Sequence, residues 1–388
     1  MKPLMMFILT ALSCNCAFAQ PVAGKQPPAE APACHIIFDA GSSGTRLYVY
    51  ERQGSQWIPH AGPKVGALAD PVREIRGKTW HDAEAVTDEV VQALDDIKRE
   101  GPDNGHGKPA WSAFDWSTQC AVASAKVFAT AGMRLAEQGN RPKSNEIWDM
   151  LEQKLQAKLG MAVTTRTLTG YEEGLYAWLA IREEKPNPRF GLVEMGGASS
   201  QVTFPCKACE EARVVQVQGE PVRLYSYSFL GLGQDVAFDL FGGTPECAHG
   251  VGLTQPAWTP EKCAAHISIN TPQGIRDPYN FGPDGLGAYN DIPTGKADIG
   301  EWVLTGAFQF MKASDIDNYC RNDVDGFNAV ASCFRSVYQP EYLDSLGVSP
   351  LSNKDEASWT LGAVICEATD CLQETGTLPC RWSGEGCL

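Results

Sequence analysis

Two segments of this chain place an acidic residue at the end of an apolar run and follow it with a turn of small residues. Asp39 precedes Ala40-Gly41-Ser42-Ser43-Gly44-Thr45, and Glu194 precedes Met195-Gly196-Gly197-Ala198-Ser199. Glycine and serine let successive backbone N–H groups point the same way, which makes a nest for phosphate oxygens, and hydroxyls add donors. A carboxylate repels phosphate, but it can hold the water shell of a divalent cation resting on that phosphate. This reading assigns Asp39 and Glu194 to a metal through water. Ser42, Ser43, Gly44 and Thr45, with Gly197 and Ala198, fall on the phosphate side. Taken singly, either loop is as readily an ordinary hairpin turn.

A second acidic feature is Glu172-Glu173, near the start of a helix. Thr169 with Glu172 has the spacing of a capping box, which gives Glu172 a structural task. Glu173 lies about 100° round the helix and is left as a candidate general base. First-turn carboxylates also simply offset the helix dipole, so the pair alone does not settle the matter. Arg46 and Arg134 each follow a small-residue turn; each could touch phosphate or be a surface charge. The six histidines are scattered without ligand spacing, which argues against a histidine-built metal centre. Neither a G-x-S-x-G elbow nor a G-x-x-x-x-G-K-[ST] loop is present, so triphosphate chemistry here would not use the P-loop architecture.

These residues need elements to hold them. Ile36–Phe38 and Leu47–Tyr50 read as strands flanking the first loop, and Gly191–Phe204 as strand–loop–strand around the second. Ala83–Glu100 and Ile147–Leu159 carry helical periodicity, Ala121–Phe128 reads as a buried strand, and Leu175–Ile181 continues the capped helix. Residues 242–300, rich in Gly, Pro and Asn, predict long loops pinned by disulfides. Helical character is expected near Trp302–Ala313 and over Trp359–Ala368. The segment from Asp39 can be laid on the segment from Glu194, acid and turn on acid and turn, which predicts a duplicated α/β fold with the two loops facing across a cleft.

The chain has 388 residues, of which 43% are hydrophobic and 20% charged, an ordinary globular balance. Lys2, the apolar Leu4–Leu12 and Ala17-Phe18-Ala19 read as a secretory signal over residues 1–19, cleaved near Ala19. A lipoprotein box at Leu12-Ser13-Cys14 is the rival. Of fourteen cysteines, Cys14 and Cys16 would leave with that segment; the remaining twelve, an even number in an exported chain, predict disulfides. Cys206 and Cys209 form a C-x-x-C better read as a structural pair than as zinc ligands. No later stretch is long and apolar enough to span a membrane. Net charge is −15, and loss of Lys2 would take it to −16, the wrong sign for a nucleic-acid binder. An anionic substrate would need local donors and a metal to overcome that field.

In order along the chain, F-D-A-G-S-S-G-T-R (38–46), A-T-A-G-M-R-L (129–135), G-Y-E-E-G-L-Y-A-W (170–178), E-M-G-G-A-S-S-Q-V-T-F (194–204) and W-T-L-G-A-V-I (359–365) resemble the conserved regions of the apyrases, the ecto-nucleoside triphosphate diphosphohydrolases. The resemblance implies an actin-like fold of two ribonuclease-H-type α/β lobes with the active site between them. The expected division is a lead-in at 20–33, lobe I at 34–168 plus 352–388, and lobe II at 169–351. It also implies hydrolysis of nucleoside tri- and diphosphates to monophosphates with Mg²⁺ or Ca²⁺, without a phosphoenzyme. Glu173 would be the base, and Thr130, Ser199 and Gln201 would hold the attacking water. Ser43, Gly44, Thr45, Gly197 and Ala198 would contact phosphate, and Trp359 would lie near the cleft. Tyr342 is the candidate platform for the nucleobase. Glu194 stands where the family has Asp, which puts metal preference in question. An actin-fold exopolyphosphatase or sugar kinase, and a non-catalytic secreted nucleotide-binding protein, are the alternative readings. Oligomeric state is not read from the sequence.

Overall fold

β-Branched and aromatic residues around the first acidic loop give a run of three antiparallel strands: β1 (Ala33–Gly41), β2 (Gly44–Gln53) and β3 (Gln56–Val65). The structure, a computed structural model, describes residues 31–72, 82–185, 187–250, 258–267, 292–322, 329–356 and 358–372. Residues 1–30, with the expected secretory signal, Cys14 and Cys16, lie outside it, as do Cys380 and Cys387.

Helix α1 (Ala83–Asp96) starts where Asp82 accepts from the Ala85 N–H, an N-cap that satisfies one of the orphan donors. The short α2 (Trp116–Gln119) leads into β4 (Ala121–Ala129), then α3 (Ala131–Gly139), α4 (Arg141–Leu159) and β5 (Thr164–Thr167). The first sheet has the order β3-β2-β1-β4-β5, with β4 parallel to β1 and β5 parallel to β4.

Helix α5 (Gly170–Glu184) opens with the expected capping box, Thr169 and Glu172 each accepting from the other's backbone. The second sheet follows: β6 (Phe190–Met195), β7 (Ser199–Pro205), β8 (Arg213–Val217) and β9 (Glu220–Leu230). After α6 (Gln234–Ala237) and α7 (Pro260–His266) come β10 (Glu301–Gly306), α8 (Ala329–Ser345), β11 (Asn353–Lys354) and α9 (Trp359–Thr369). The order is β11-β10-β6-β7-β9-β8, with β10 parallel to β6 and β11 parallel to β10, and with β7 antiparallel to both β6 and β9.

Set β6, β7, β9, β10 and β11 against β1, β2, β3, β4 and β5 and the two sheets have one topology, with β8 an addition at one edge. The short echo between the Asp39 and Glu194 segments is therefore the trace of a structural repeat, and both acids end the central strand of their sheet.

One expectation fails. Trp302–Ala313 is not helical: Glu301–Gly306 is strand β10, and only the single 3₁₀ turn Ala307–Phe310 follows. A short apolar run has no periodicity to separate buried strand from buried helix, and here the parallel ladder to β6 decides.

Among the described residues, five disulfides join Cys34 to Cys120, Cys206 to Cys209, Cys247 to Cys263, Cys320 to Cys333 and Cys366 to Cys371. The first ties the start of β1 to the residue before β4; the second settles the C-x-x-C as a structural pair. Cys247–Cys263 pins part of the expected loop region, of which residues 251–257 and 268–291 lie outside the described residues. Among the described residues no helix is long and apolar enough to cross a membrane.

The two sheets meet through helices that approach without side chains between them. A Cβ on Gly362 of α9 would fall 1.7 Å from the Tyr176 carbonyl oxygen of α5. A Cβ on Gly174 would fall 2.2 Å from Ser226 Oγ and 2.4 Å from Thr203 Oγ1. Only glycine permits such contacts, and they press the first turns of α5, with Glu173, onto the face of the second sheet.

Candidate active site

Asp39 pairs with Arg46 on β2 and Phe128 on β4, and Arg46 in turn pairs with Lys64 on β3. Burial pushes the Asp39 carboxyl up to about 6, against the opposing pull of Arg46, Lys64 and the Trp359 indole, which donates to it. Glu194 sits at the same position of the second sheet. Its carboxyl is held well above the usual range, first by burial and then by repulsion from Glu173 and Asp39. Glu194 thus feels the charge of one acid from the first sheet and one from α5. One Glu194 oxygen, Oε2, is buried with no hydrogen-bond partner among the described residues.

The two small-residue loops also meet. Ala40 pairs with Thr45 and Gly41 with Gly44, leaving Ser42-Ser43 as the turn. Gly44 has φ +148°, and a Cβ there would lie 2.4 Å from the Lys64 side chain, so the tight return requires glycine. A Cβ on Gly132, in the first turn of α3, would sit 2.8 Å from Ser42 Cα. From the other sheet, a Cβ on Gly197 would lie 2.5 Å from Ser42 Oγ. Serine and glycine thus pack closely where the two loops meet. Thr45 Oγ1 is buried without a partner.

The second loop is held by its carbonyls. Gln234 donates to the Gly196 oxygen, Asp235 and Val236 to that of Gly197, and Gly231 to that of Ala198. Gly233 packs so closely on the Ala198 and Ser199 nitrogens that a Cβ would fall 2.5 and 2.4 Å from them. Asp235, fully buried, is itself held by Arg335 Nη2 at 3.1 Å. With its carbonyls bound to α6 and to Gly231, just after β9, the loop has a fixed backbone.

Between the loops runs a buried polar network. Arg134 of α3, 0% exposed, donates to Glu173 Oε2, to Ser199 Oγ at 3.2 Å and to Ser228 Oγ at 3.1 Å. Gln201 Nε2 donates to Ser199 Oγ at 2.7 Å and to Ser228 Oγ at 3.1 Å. Arg134 is no surface charge: it spans from the first sheet's helix to the second sheet and fixes the Glu173 carboxylate. Arg46 is exposed. Thr130, at the N-cap of α3, makes no capping bond with its side chain, so its hydroxyl is not spent on its own helix. Glu172 has the structural role expected of it, bonded to Thr169 and to both terminal nitrogens of Arg166.

The structure therefore gathers Asp39, Ser42, Thr130, Glu173, Glu194, Gly197, Ala198, Ser199 and Gln201 around one gap, with Ser43, Gly44 and Thr45 on its first loop. Trp359 reaches it through Asp39, as a donor to a carboxylate rather than as an exposed stacking face. Tyr342 does not belong to it. That ring is 1% exposed and packed by Phe229, Phe308 and Tyr338, so no face is open to a nucleobase; the tyrosine is core. Arg134's contacts, Ser228, Gly233 and Asp235 were not singled out from sequence. Gly231-Leu232-Gly233 reads as a turn, but nothing local says which loop it supports. A separate open recess of about 580 Å³ is lined by Asp88, Glu89, Asp95 and Asp96 with Lys158 as its one cation, a poor surface for an anion.

Among the described residues no three His, Cys, Asp or Glu side chains come close enough to cage a metal ion. A cation held through its own water shell is the arrangement the acids fit, since Glu194 Oε2 is an acceptor in want of a donor and Asp39 faces it.

Residues 117–240 match the GDA1/CD39 (nucleoside phosphatase) family. The chain is 24% identical over 339 residues to ectonucleoside triphosphate diphosphohydrolase 3 of Mus musculus, covering 79% of this chain and 58% of that protein. It is 24% identical over 345 residues to ectonucleoside triphosphate diphosphohydrolase 2 of Homo sapiens, covering 81% and 61%. The chain thus spans about three fifths of the length of these relatives. Among solved structures, one of nucleoside triphosphate hydrolases from Neospora caninum superposes with a TM-score of 0.53 at 15% identity, over 86% of this chain and 92% of that one. Topology repeated in two sheets, acids at both central strands and this sequence kinship agree with the match of residues 117–240 to the GDA1/CD39 (nucleoside phosphatase) family.

Proposed function

We propose that the protein hydrolyses nucleoside tri- and diphosphates to monophosphates with Mg²⁺ or Ca²⁺, by direct attack of water and without a phosphoenzyme. The observation that carries this reading is the convergence of Asp39, Glu173 and Glu194, from two sheets and a helix, on one gap walled by two small-residue loops. A divalent ion there supplies charge neutralisation on the terminal phosphates. Asp39 and Glu194 hold its waters. Donors of Ser42–Thr45 and of Gly197–Ala198 bind the phosphoryl oxygens, and Thr130, Ser199 and Gln201 orient the attacking water.

Glu173 accepts the proton from that water. In the resting arrangement the carboxylate is bonded to Arg134, so water must compete for it or use its second oxygen. Positioning and electrostatics supply most of the acceleration, and the base about 10²–10⁴-fold. The proposed lobes are 34–168 plus 352–388, and 169–351, with export after cleavage near Ala19; five disulfides suit an oxidising compartment.

Phosphate release from ATP and ADP with Mg²⁺, scored by malachite green, tests the reading. Glu173→Gln should keep the wild-type melting temperature within a few degrees and bind nucleotide, while turnover falls about 10²-fold or more. Near-full turnover in that variant removes Glu173 as the base. Release from polyphosphate but not from ADP would transfer the site to polyphosphate chemistry.

A further inference from the structure

Glu194 has two partners at its own register, Gln201 on β7 and Thr305 on β10, and Gln201 pairs onward with Ser228 on β9. Directly paired residues of neighbouring strands share a face of the sheet, so Thr305, Glu194, Gln201 and Ser228 form a row across four strands. Three of these side chains carry a buried oxygen with no hydrogen-bond partner among the described residues: Thr305 Oγ1, Glu194 Oε2 and Gln201 Oε1. Buried polar atoms are nearly always paired. Three adjacent exceptions, all able to accept, mark a place that receives donors from something other than the protein. Water around a cation is such a donor.

The first sheet shows that the hydroxyl is not dictated by the fold. By topology β10 is the counterpart of β4, and Thr305 beside Glu194 is the counterpart of Phe128 beside Asp39. Phe128 fills its place with a ring, packed under the Arg166 guanidinium and against Tyr176. Thr305 is 3% exposed and offers a hydroxyl instead. It is also firmly placed: the next residue, Gly306, has φ +65°, and a Cβ there would fall 2.4 Å from the Met195 carbonyl oxygen, so the end of β10 is pressed against the end of β6.

We propose that Thr305 is a positioning residue for the hydrated cation, its hydroxyl bonding, with Glu194 Oε2, a water of the ion's shell on the β10 side of the gap. This rests on the cation-dependent reading above and adds to it a residue outside every motif that led there. It also gives the longer Glu194 arm a neighbour with which to share a water.

The test uses Thr305→Val, which keeps the shape and removes the oxygen, and Thr305→Ser, which keeps the oxygen. The readout is the melting temperature of nucleotide-free protein titrated with Mg²⁺ or Ca²⁺ alone. In chelator, Thr305→Val should melt at or above wild type, because the lost hydroxyl had no partner. Its half-maximal cation concentration should rise about five- to tenfold, the equivalent of one hydrogen bond, with Thr305→Ser restoring it to within about twofold. A Thr305→Val variant that titrates like wild type overturns the proposal. So does one that melts lower in chelator, which would make the hydroxyl a structural group, and so does a wild type whose melting ignores both cations. Absence of phosphate release by wild type would instead sink the hydrolytic reading while leaving the titration intact.

Discussion

A carboxyl held at about 6 in the folded protein is a stability cost at neutral pH, and Asp39→Asn should expose it. The ordinary aspartate value is 3.8, so ionising Asp39 in the fold is about two pKa units harder than in the unfolded chain, or about 3 kcal/mol. Asp39 is half-buried, and solvent contact trims this to about 1–3 kcal/mol. The sign follows from a raised folded value: the favourable contribution is complete below about 3.8 and is lost as pH rises through about 6. Asparagine does not titrate, and removing the charge also relieves Glu194, which Asp39 repels. In chelator at pH 7.5, Asp39→Asn should therefore melt above wild type by a few degrees, at roughly 1–2 °C per kcal/mol for a chain of this size. The gain should shrink towards zero by pH 4.5. Adding Mg²⁺ or Ca²⁺ should raise wild type and leave the variant nearly unchanged, so that the order reverses. Differential scanning calorimetry across pH 4.5–8, with and without cation, measures all of this. A variant no more stable than wild type at pH 7.5, or a gap that does not change with pH, would refute the reasoning.

Gly362→Ala places a Cβ 1.7 Å from the Tyr176 carbonyl oxygen, a backbone contact that cannot relax as a side chain would. The helix-propensity gain of about 1 kcal/mol cannot offset parting α9 from α5; a net loss of about 2–4 kcal/mol is expected by thermal melting, with lower turnover because α9 carries Trp359 to Asp39. Replacing Cys34 and Cys120 together by alanine releases a crosslink spanning 86 residues. The chain-entropy account gives a loss of about 4.6 kcal/mol, to be read from urea unfolding, while phosphate release by the folded fraction should be unchanged.

Both loops, both strand-end acids and the capping box at Thr169 were legible because each is a local matter: a glycine where a turn needs one, a carboxylate where a helix begins. The repeat was legible as an echo of a few residues and proved to be a shared strand order. What could not be read depends on partners distant in sequence. Tyr342 has the residue type of a stacking platform, and only the packing of Phe229, Phe308 and Tyr338 around it makes it core. Arg134 carries no local sign that it is buried; its contacts with Glu173, Ser199 and Ser228 lie 39, 65 and 94 residues away. Strand β10 reads as helix in the sequence because an apolar run of strand length holds no period, and its ladder to β6 joins residues more than a hundred positions apart.

The repeat is most informative where it is broken. Both central strands end in an acid, but the rows those acids occupy differ in charge. Asp39 lies in line with Arg46 and Lys64 on one side and with Phe128 and then Arg166 on the other, and the first two lower its carboxyl. Glu194 lies among Thr305, Gln201 and Ser228, with no cation in the row. For the proposed anionic substrate, positive charge would have to be supplied locally on this acidic chain, and the first sheet carries it in the Asp39 row. The second sheet supplies neutral acceptors, which suit water on a metal better than they suit phosphate. On the proposed function the two rows would differ in what they add to the shared work of Asp39 and Glu194 on the cation's waters: Arg46 and Lys64 add positive charge in the first sheet, and Thr305 and Gln201 add neutral acceptors in the second. On that division a neutral substitution at Asp39, Glu194 or Thr305 should be felt as a change in cation response, and one at Arg46 or Lys64 as a change in affinity for the nucleotide.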